Sequence, residues 1–167
     1  MRRLNTNTRY LYDELLDYAE SLLQLFPPEL CRVFLVNSGS AATDLALRLS
    51  KAHTGKARVL ALEHGYHGNT LACIGVSHYK HKKGETYPNT VLGPMPKVYG
   101  SGLPDDGTAG AHFAERFQAA LGQNQGEVAA FIAEPIMGCG GQVPLPRGFL
   151  PAVYQAVRAQ GGICISD

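Results

Sequence analysis

The sequence contains no tryptophan, and its 17% charged side chains nearly cancel, leaving a net charge of +1 over 167 residues. A chain this close to neutral offers no electrostatic case for binding nucleic acid or an anionic membrane. Long apolar runs are missing too. The longest, around Val128 to Ala133, is far too short to span a bilayer. The opening MRRLNTNTRYLYDELL has arginines but no apolar stretch behind them, so it does not read as a secretory leader. Cysteine is sparse: Cys31, Cys73, Cys139 and Cys164 form no CxxC pair, and none has a histidine at metal-ligand spacing. They read as reduced thiols of a cytoplasmic protein, with no metal site expected. Neither a GxGxxG fingerprint nor a GK[ST] phosphate loop is present, which argues against a nicotinamide oxidoreductase and a P-loop enzyme. A GxSxG nucleophile elbow is also lacking, because Ala42 stands at the last glycine position of the nearest match.

What is present is globular: 45% of residues are hydrophobic. Leu11, Leu15, Leu16, Ala19, Leu22 and Leu23 recur at helical spacing, with Asp13, Glu14, Asp17 and Glu20 filling the other face, and Pro27-Pro28 stops the pattern. Arg32–Val36 reads as a short strand, Asn37–Ser40 as a turn, and Ala41 to about His53 as a helix capped by Gly55. Arg58–Leu62 is a second strand, and Thr70–Ser77 a short helix. His78–Gly110, rich in Gly, Pro, Asn and Asp, reads as a long irregular excursion. Its basic stretch Lys80-His81-Lys82-Lys83 reads first as a solvated loop or an active-site rim, with contact to a charged ligand as the alternative. A helix over Ala111–Leu121, a strand over Val128–Glu134, a helix over Phe149–Gln160 and a strand over Ile163–Ser166 complete the order. Strands that are continuous apolar runs, alternating with helices, predict an α/β fold with a mostly parallel sheet covered on both faces.

In such sheets ligands bind at the carboxyl ends of the strands. There the sequence places Ser38-Gly39-Ser40, Tyr66-His67-Gly68, Glu134-Pro135 and Asp167. The Ser-Gly-Ser turn opens a helix, whose free N–H groups and partial positive charge suit a phosphate. Serine is also a favoured plain N-cap, so both readings stand on these residues alone. Tyr66 puts a flat ring where a heteroaromatic ligand could stack, or where a loop tyrosine half-packs on the surface. Asp167 ends an apolar strand, where a cationic partner such as a protonated pyridine would stabilise it. Alternatively it is an exposed last residue. Glu134 raises the same question, with Pro135 fixing its local geometry.

Taken together these residues resemble the class III aminotransferases, pyridoxal-phosphate enzymes of fold type I. Asn37-Ser38-Gly39-Ser40-Ala41-Ala42-Thr43-Asp44-Leu45 is similar to that family's NSGSEANDL block, Tyr66-His67-Gly68-Asn69-Thr70 to its YHGxT, and Phe131–Ile136 to its FIAEPI. Gly140-Gly141, Pro146, Gly148-Phe149-Leu150 and Gly161–Asp167 follow its closing motifs, so the resemblance runs the length of the chain. It implies pyridoxal 5'-phosphate as cofactor. Ser38, Gly39 and Ser40 would hold its phosphate, Tyr66 would stack on its ring with His67 close by, and Asp167 would pair with the pyridinium nitrogen. Glu134 would bind substrate. Ala41 departs from the family's usual glutamate, removing a charge near the helix start.

The resemblance further implies that residues 1–167 are part of the large domain, with 1–30 an N-terminal helix and lead-in and 31–167 the α/β cofactor-binding portion. The Schiff-base lysine would lie beyond Asp167, so the 167-residue chain alone is expected to show little or no catalysis and an exposed apolar surface. The expected activity of the parent is amino transfer between an amino compound and a keto acid or aldehyde, in a homodimer or higher homo-oligomer. Leu4–Leu11 is similar to the LNTNxR(F/Y)L opening of a branch that holds ethanolamine-phosphate phospho-lyases and alanine–glyoxylate-aminotransferase-like proteins. A phospho-lyase on a phosphorylated amino alcohol is therefore the alternative, and a non-catalytic remnant a third reading.

Overall fold

The computed structural model describes residues 9–167, so the Leu4–Thr8 part of the opening motif lies outside the described residues. The described residues up to Val36 form one unit and Asn37–Asp167 another. In the first unit the leucine periodicity produces helix α1, Asp13–Leu23, with Asp13 and Glu14 in its first turn where the helix dipole favours negative charge. The expected strand at Arg32–Val36 does not form. That stretch is coil, Phe34 is 63% exposed, and it belongs to no strand pair. A short apolar run becomes a strand only where a neighbour completes its ladder of hydrogen bonds, and no described strand pairs with this one.

In the second unit, α2 (Gly39–Thr54) is closed by Gly55 in the left-handed conformation, φ 68°, whose N–H donates to the Lys51 carbonyl at 2.9 Å. Strand β1 (Arg58–Leu62), helix α3 (Leu71–Val76) and strand β2 (Thr90–Gly93) follow. Then come α4 (Thr108–Gly122), β3 (Val128–Ala133), a two-residue pair β4 (Ile136–Met137) and β5 (Val143–Pro144), α5 (Phe149–Ala159) and β6 (Ile163–Ser166). The main sheet runs β2-β1-β3-β6, every pair parallel, and β4–β5 is a separate antiparallel ribbon. The expected α/β fold with helices on both faces is thus what forms. Its fourth strand is Thr90–Gly93, within the stretch expected to be irregular, while Arg32–Val36 contributes none.

Alternation along β3 explains why both faces are covered. Phe131 and Ala133 join the core under α4 and α5, with Phe113, Phe117, Phe149 and Val153. Ala130 and Ile132 point the other way, into a core with Leu47 of α2 and Val76 of α3. Successive strand residues face opposite sides, so a strand buried on both must be apolar throughout, and all of β3 is buried. Phe117 and Phe131 meet edge to face with centroids 4.8 Å apart. The chain's polar groups are therefore pushed to the strand ends.

Candidate active site

The site is assembled where β1, β3 and β6 end. At the start of α2, Ser38 is the N-cap: its Oγ accepts from the Ala41 N–H at 3.1 Å. The Ala42 N–H donates to the Ser38 carbonyl at 3.0 Å. The N–H groups of Gly39 and Ser40 have no partner among the described residues, and a Cβ placed on Gly39 would enter open space. Two unpaired N–H donors stand at the exposed N-terminus of this helix, an arrangement whose chemistry suits an anion. Ser40 turns inward, and its Oγ accepts from the Asn69 N–H at 3.0 Å. Gly68 permits that contact. A Cβ there would lie 2.7 Å from Ser40 Oγ and 2.9 Å from Ser40 Cα, and its φ of 117° suits glycine.

His67 lies between the loop and the end of β6. It is 2% exposed, its N–H donates to Ser77 Oγ at 2.8 Å, and its Nδ1 sits 2.7 Å from Asp167 Oδ2. A carboxylate can only accept, so the shared hydrogen sits on Nδ1. Nε2 is buried without a hydrogen-bond partner. Asp167 is held from its backbone as well, its N–H donating to the Ala133 carbonyl at 3.0 Å. Its Oδ1 makes no hydrogen bond among the described residues, so the carboxylate is fixed through one oxygen and open at the other. That arrangement suits a cationic N–H donor.

Glu134, expected at a substrate group, has both carboxylate oxygens engaged by backbone. Oε2 accepts from the Tyr66 N–H and Oε1 from the Gly138 N–H, each at 3.0 Å. It ties the loop after β1 to the loop after β3. The Tyr66 ring is half-buried and meets Tyr79 edge to face at 6.3 Å. Beyond it, the His64 N–H donates to His78 Nδ1 at 2.8 Å. Burial first, then the neighbouring His64 and His81 rings, hold His78 below the ordinary histidine value, against the pull of Glu63.

The structure therefore brings Ser40, Tyr66, His67, Glu134 and Asp167 into one hydrogen-bonded set, with Ser38 and Gly39 on its open edge. Sequence reasoning placed Gly68 at the site without giving it a role, and missed Ser77 and the Gly138 amide. Gly68 was visible as the glycine of the Tyr-His-Gly motif, while Ser77 is a buried hydroxyl after an apolar helix and carries no local sequence signal. Among the described residues no group of His, Cys, Asp and Glu is placed to hold a metal ion. No described helix is long and apolar enough to cross a membrane.

Residues 4–167 match the Aminotransferase class-III family. The chain is 44% identical to a Drosophila melanogaster alanine–glyoxylate aminotransferase 2-like protein, covering all of this chain and 36% of that one. Among solved structures it is similar to an Arthrobacter phospholyase in complex with phosphoethanolamine. The TM-score is 0.85 at 35% identity, over 98% of this chain and 40% of that one. It is also similar to taurine:2-oxoglutarate aminotransferase from Bifidobacterium kashiwanohense, in complex with PLP and glutamate. There the TM-score is 0.86 at 25% identity, over 96% of this chain and 38% of that one. The chain thus spans somewhat over a third of the length of the relatives it matches.

Proposed function

The chain belongs to the class III aminotransferase family, and we propose that its strand-end site binds pyridoxal phosphate for amino transfer between an amino compound and a keto acid or aldehyde. The observation that carries this reading is the shared loop after β1. It holds the α2 N-terminus through Asn69 and Ser40, and the Asp167 carboxylate through His67. An anion cradle and a fixed, half-open carboxylate are thereby set in one rigid frame. A ligand with a phosphate at one end and a protonated ring nitrogen at the other matches that pair of groups.

In this reading the Gly39 and Ser40 N–H groups and the serine hydroxyls hold the phosphate. Asp167 accepts from the ring nitrogen, and His67 orients Asp167 as a positioning residue. Tyr66 stacks on the ring, its backbone set by Glu134. When bound, the cofactor supplies an electron sink for charge developing on the substrate carbon. The Asp167 carboxylate keeps the ring nitrogen protonated, and the buried His67 imidazole keeps water from that side of the carboxylate. Residues 31–167 are assigned to the cofactor-binding portion and 1–30 to the lead-in. Exposed apolar side chains, including Leu71 at 92%, support a homo-oligomer, and four free cysteines support a reducing compartment such as the cytoplasm.

Titration of the chain with pyridoxal phosphate, followed by absorbance, tests the reading. Asp167→Ala should weaken binding by about tenfold or more while the circular dichroism stays native. Binding unchanged by that substitution would remove Asp167 from the site. The likeness to the Arthrobacter phospholyase favours a second reading, elimination of phosphate from a phosphorylated amino alcohol. In the parent enzyme, a keto or amino product without phosphate release marks transfer, and free phosphate with an aldehyde marks elimination.

A further inference from the structure

Beyond β1 the chain leaves the sheet, so the His67 N–H has no ladder partner and must find another. It donates to Ser77 Oγ at 2.8 Å, inside the fold. Ser77 is 0% exposed, and its hydroxyl donates in turn to the Cys73 carbonyl at 2.6 Å. A hydroxyl has one hydrogen. With that hydrogen committed to Cys73, the Ser77 oxygen presents only a lone pair to His67, and its rotor is locked in the accepting sense. Cys73 is fixed as well, its own N–H donating to Thr70 Oγ1 at 3.2 Å at the start of α3. On the imidazole, Nδ1 is committed to Asp167 and Nε2 has no hydrogen-bond partner among the described residues. Ser77, His67 and Asp167 thus form one chain of hydrogen bonds from the end of α3 to the end of β6, with Oδ1 of Asp167 left open.

On the cofactor reading of this site, we infer that Ser77 is a positioning residue: acting through His67, it fixes the Asp167 carboxylate so that the free Oδ1 accepts from the protonated ring nitrogen. Ser77 touches neither the cofactor nor the carboxylate. It sets where the His67 backbone stands, and the imidazole is carried by that backbone. A carboxylate tied to a loosened imidazole turns toward water, and its hold on the ring proton weakens. The phosphate end is anchored separately, by the Asn69 N–H on Ser40 Oγ and the Ala41 N–H on Ser38 Oγ. Loss of the Ser77 hydroxyl should therefore loosen the ring-nitrogen end alone.

The test loads the whole chain with pyridoxal phosphate labelled at the ring nitrogen and follows two NMR signals, that nitrogen and the phosphorus. In Ser77→Ala the nitrogen resonance should move toward the unprotonated form while the phosphorus resonance keeps its wild-type position. Ser77→Cys, whose thiol fills the space but accepts weakly, should do the same, and it decides the matter if Ser77→Ala does not fold. Ser77→Thr keeps the hydroxyl and should restore most of the wild-type signal. In the cofactor-free chain, exchange of the His67 Nδ1 hydrogen should speed up by about tenfold or more in the alanine and cysteine variants, and by about twofold or less in Ser77→Thr. A nitrogen resonance unmoved in both hydroxyl-free variants overturns the inference. Both resonances moving together overturns it too, and leaves Ser77 a plain packing residue. A wild type that takes up no pyridoxal phosphate overturns the cofactor reading; the cofactor-free exchange then decides alone, faster exchange upholding the Ser77–His67–Asp167 brace and unchanged exchange overturning it.

Discussion

His67 Nδ1 lies 2.7 Å from Asp167 Oδ2, joining two residues a hundred positions apart. The histidine side chain is wholly buried and the carboxylate is 31% exposed, so the pair has a dry end and a wet end. The dry end fixes the orientation of the wet one. Removing the imidazole leaves a carboxylate that water can rehydrate, at a cost of about 1 kcal/mol. The larger effect falls on ligand binding, because Asp167 loses its single side-chain anchor.

His67→Leu should weaken pyridoxal phosphate binding about tenfold, whereas His67→Asn, whose amide N–H can take the place of Nδ1–H, should recover most of it. Cofactor titration with both variants reads this directly. Equal losses in the two would show that ring packing, not the hydrogen bond, is what Asp167 needs.

The glycine at the start of α2 and the glycine of the adjoining loop should separate binding from folding. At Gly39 a Cβ meets open space, so Gly39→Ala should leave the urea midpoint within about 0.5 kcal/mol of wild type while a methyl intrudes on the cradle and weakens cofactor binding. At Gly68 a Cβ would press on Ser40 Oγ and Cα with φ at 117°, so Gly68→Ala should destabilise the fold by about 2 kcal/mol or more. If Gly39→Ala unfolds the chain as readily as Gly68→Ala, the turn is structural and not a cradle.

These sites differ in how much the sequence discloses. Val128–Ala133 was legible as a strand because burial on both faces demands an unbroken apolar run. Thr90–Gly93 was not, because its few residues sit among turn formers and its strand character comes from pairing with β1. Arg32–Val36 misled for the converse reason: the composition is strand-like, but no described strand completes its ladder. Tyr66, Glu134 and Asp167 were legible as groups that follow strands, whereas Ser38 and Gly39 were expected after a strand at Arg32–Val36 that does not form and are placed instead by the start of α2. The Ser40–Asn69 and Glu134–Tyr66 bonds were not, since they depend on loops brought together by the sheet.

Stability should fall on mild acidification through His78. Its folded value lies below the ordinary 6.5, chiefly because of burial and the neighbouring His64 and His81, with Glu63 opposing. The unfolded chain then binds more protons than the folded one as pH drops through 6.5, so stability is full above that value and declines below it, until the folded group also titrates. Partial exposure makes the slope shallow. The variant His78→Gln keeps an acceptor for the His64 N–H without titrating, so its urea midpoint should vary less than wild type between about pH 7.5 and about pH 5.5. Identical profiles would remove His78 from the acid response.

Glu134 supplies the last test, because two roles for it predict different measurements. A carboxylate that accepts from the Tyr66 and Gly138 amides has committed both oxygens to backbone, which makes it a latch between loops. Glu134→Ala frees both amides, and their hydrogen exchange should speed up by about tenfold or more, equivalent to roughly 1.4 kcal/mol of lost local protection. Glu134→Gln offers one acceptor oxygen and turns an NH2 donor toward the other amide, so one of the two positions should stay protected and the other should not. Cofactor binding should weaken in the order wild type, Gln, Ala, following the looseness of the Tyr66 loop. A substrate contact would behave otherwise: exchange at Tyr66 and Gly138 would stay as in wild type in both variants, and amine affinity alone would fall. Exchange measured residue by residue therefore decides between them without requiring turnover.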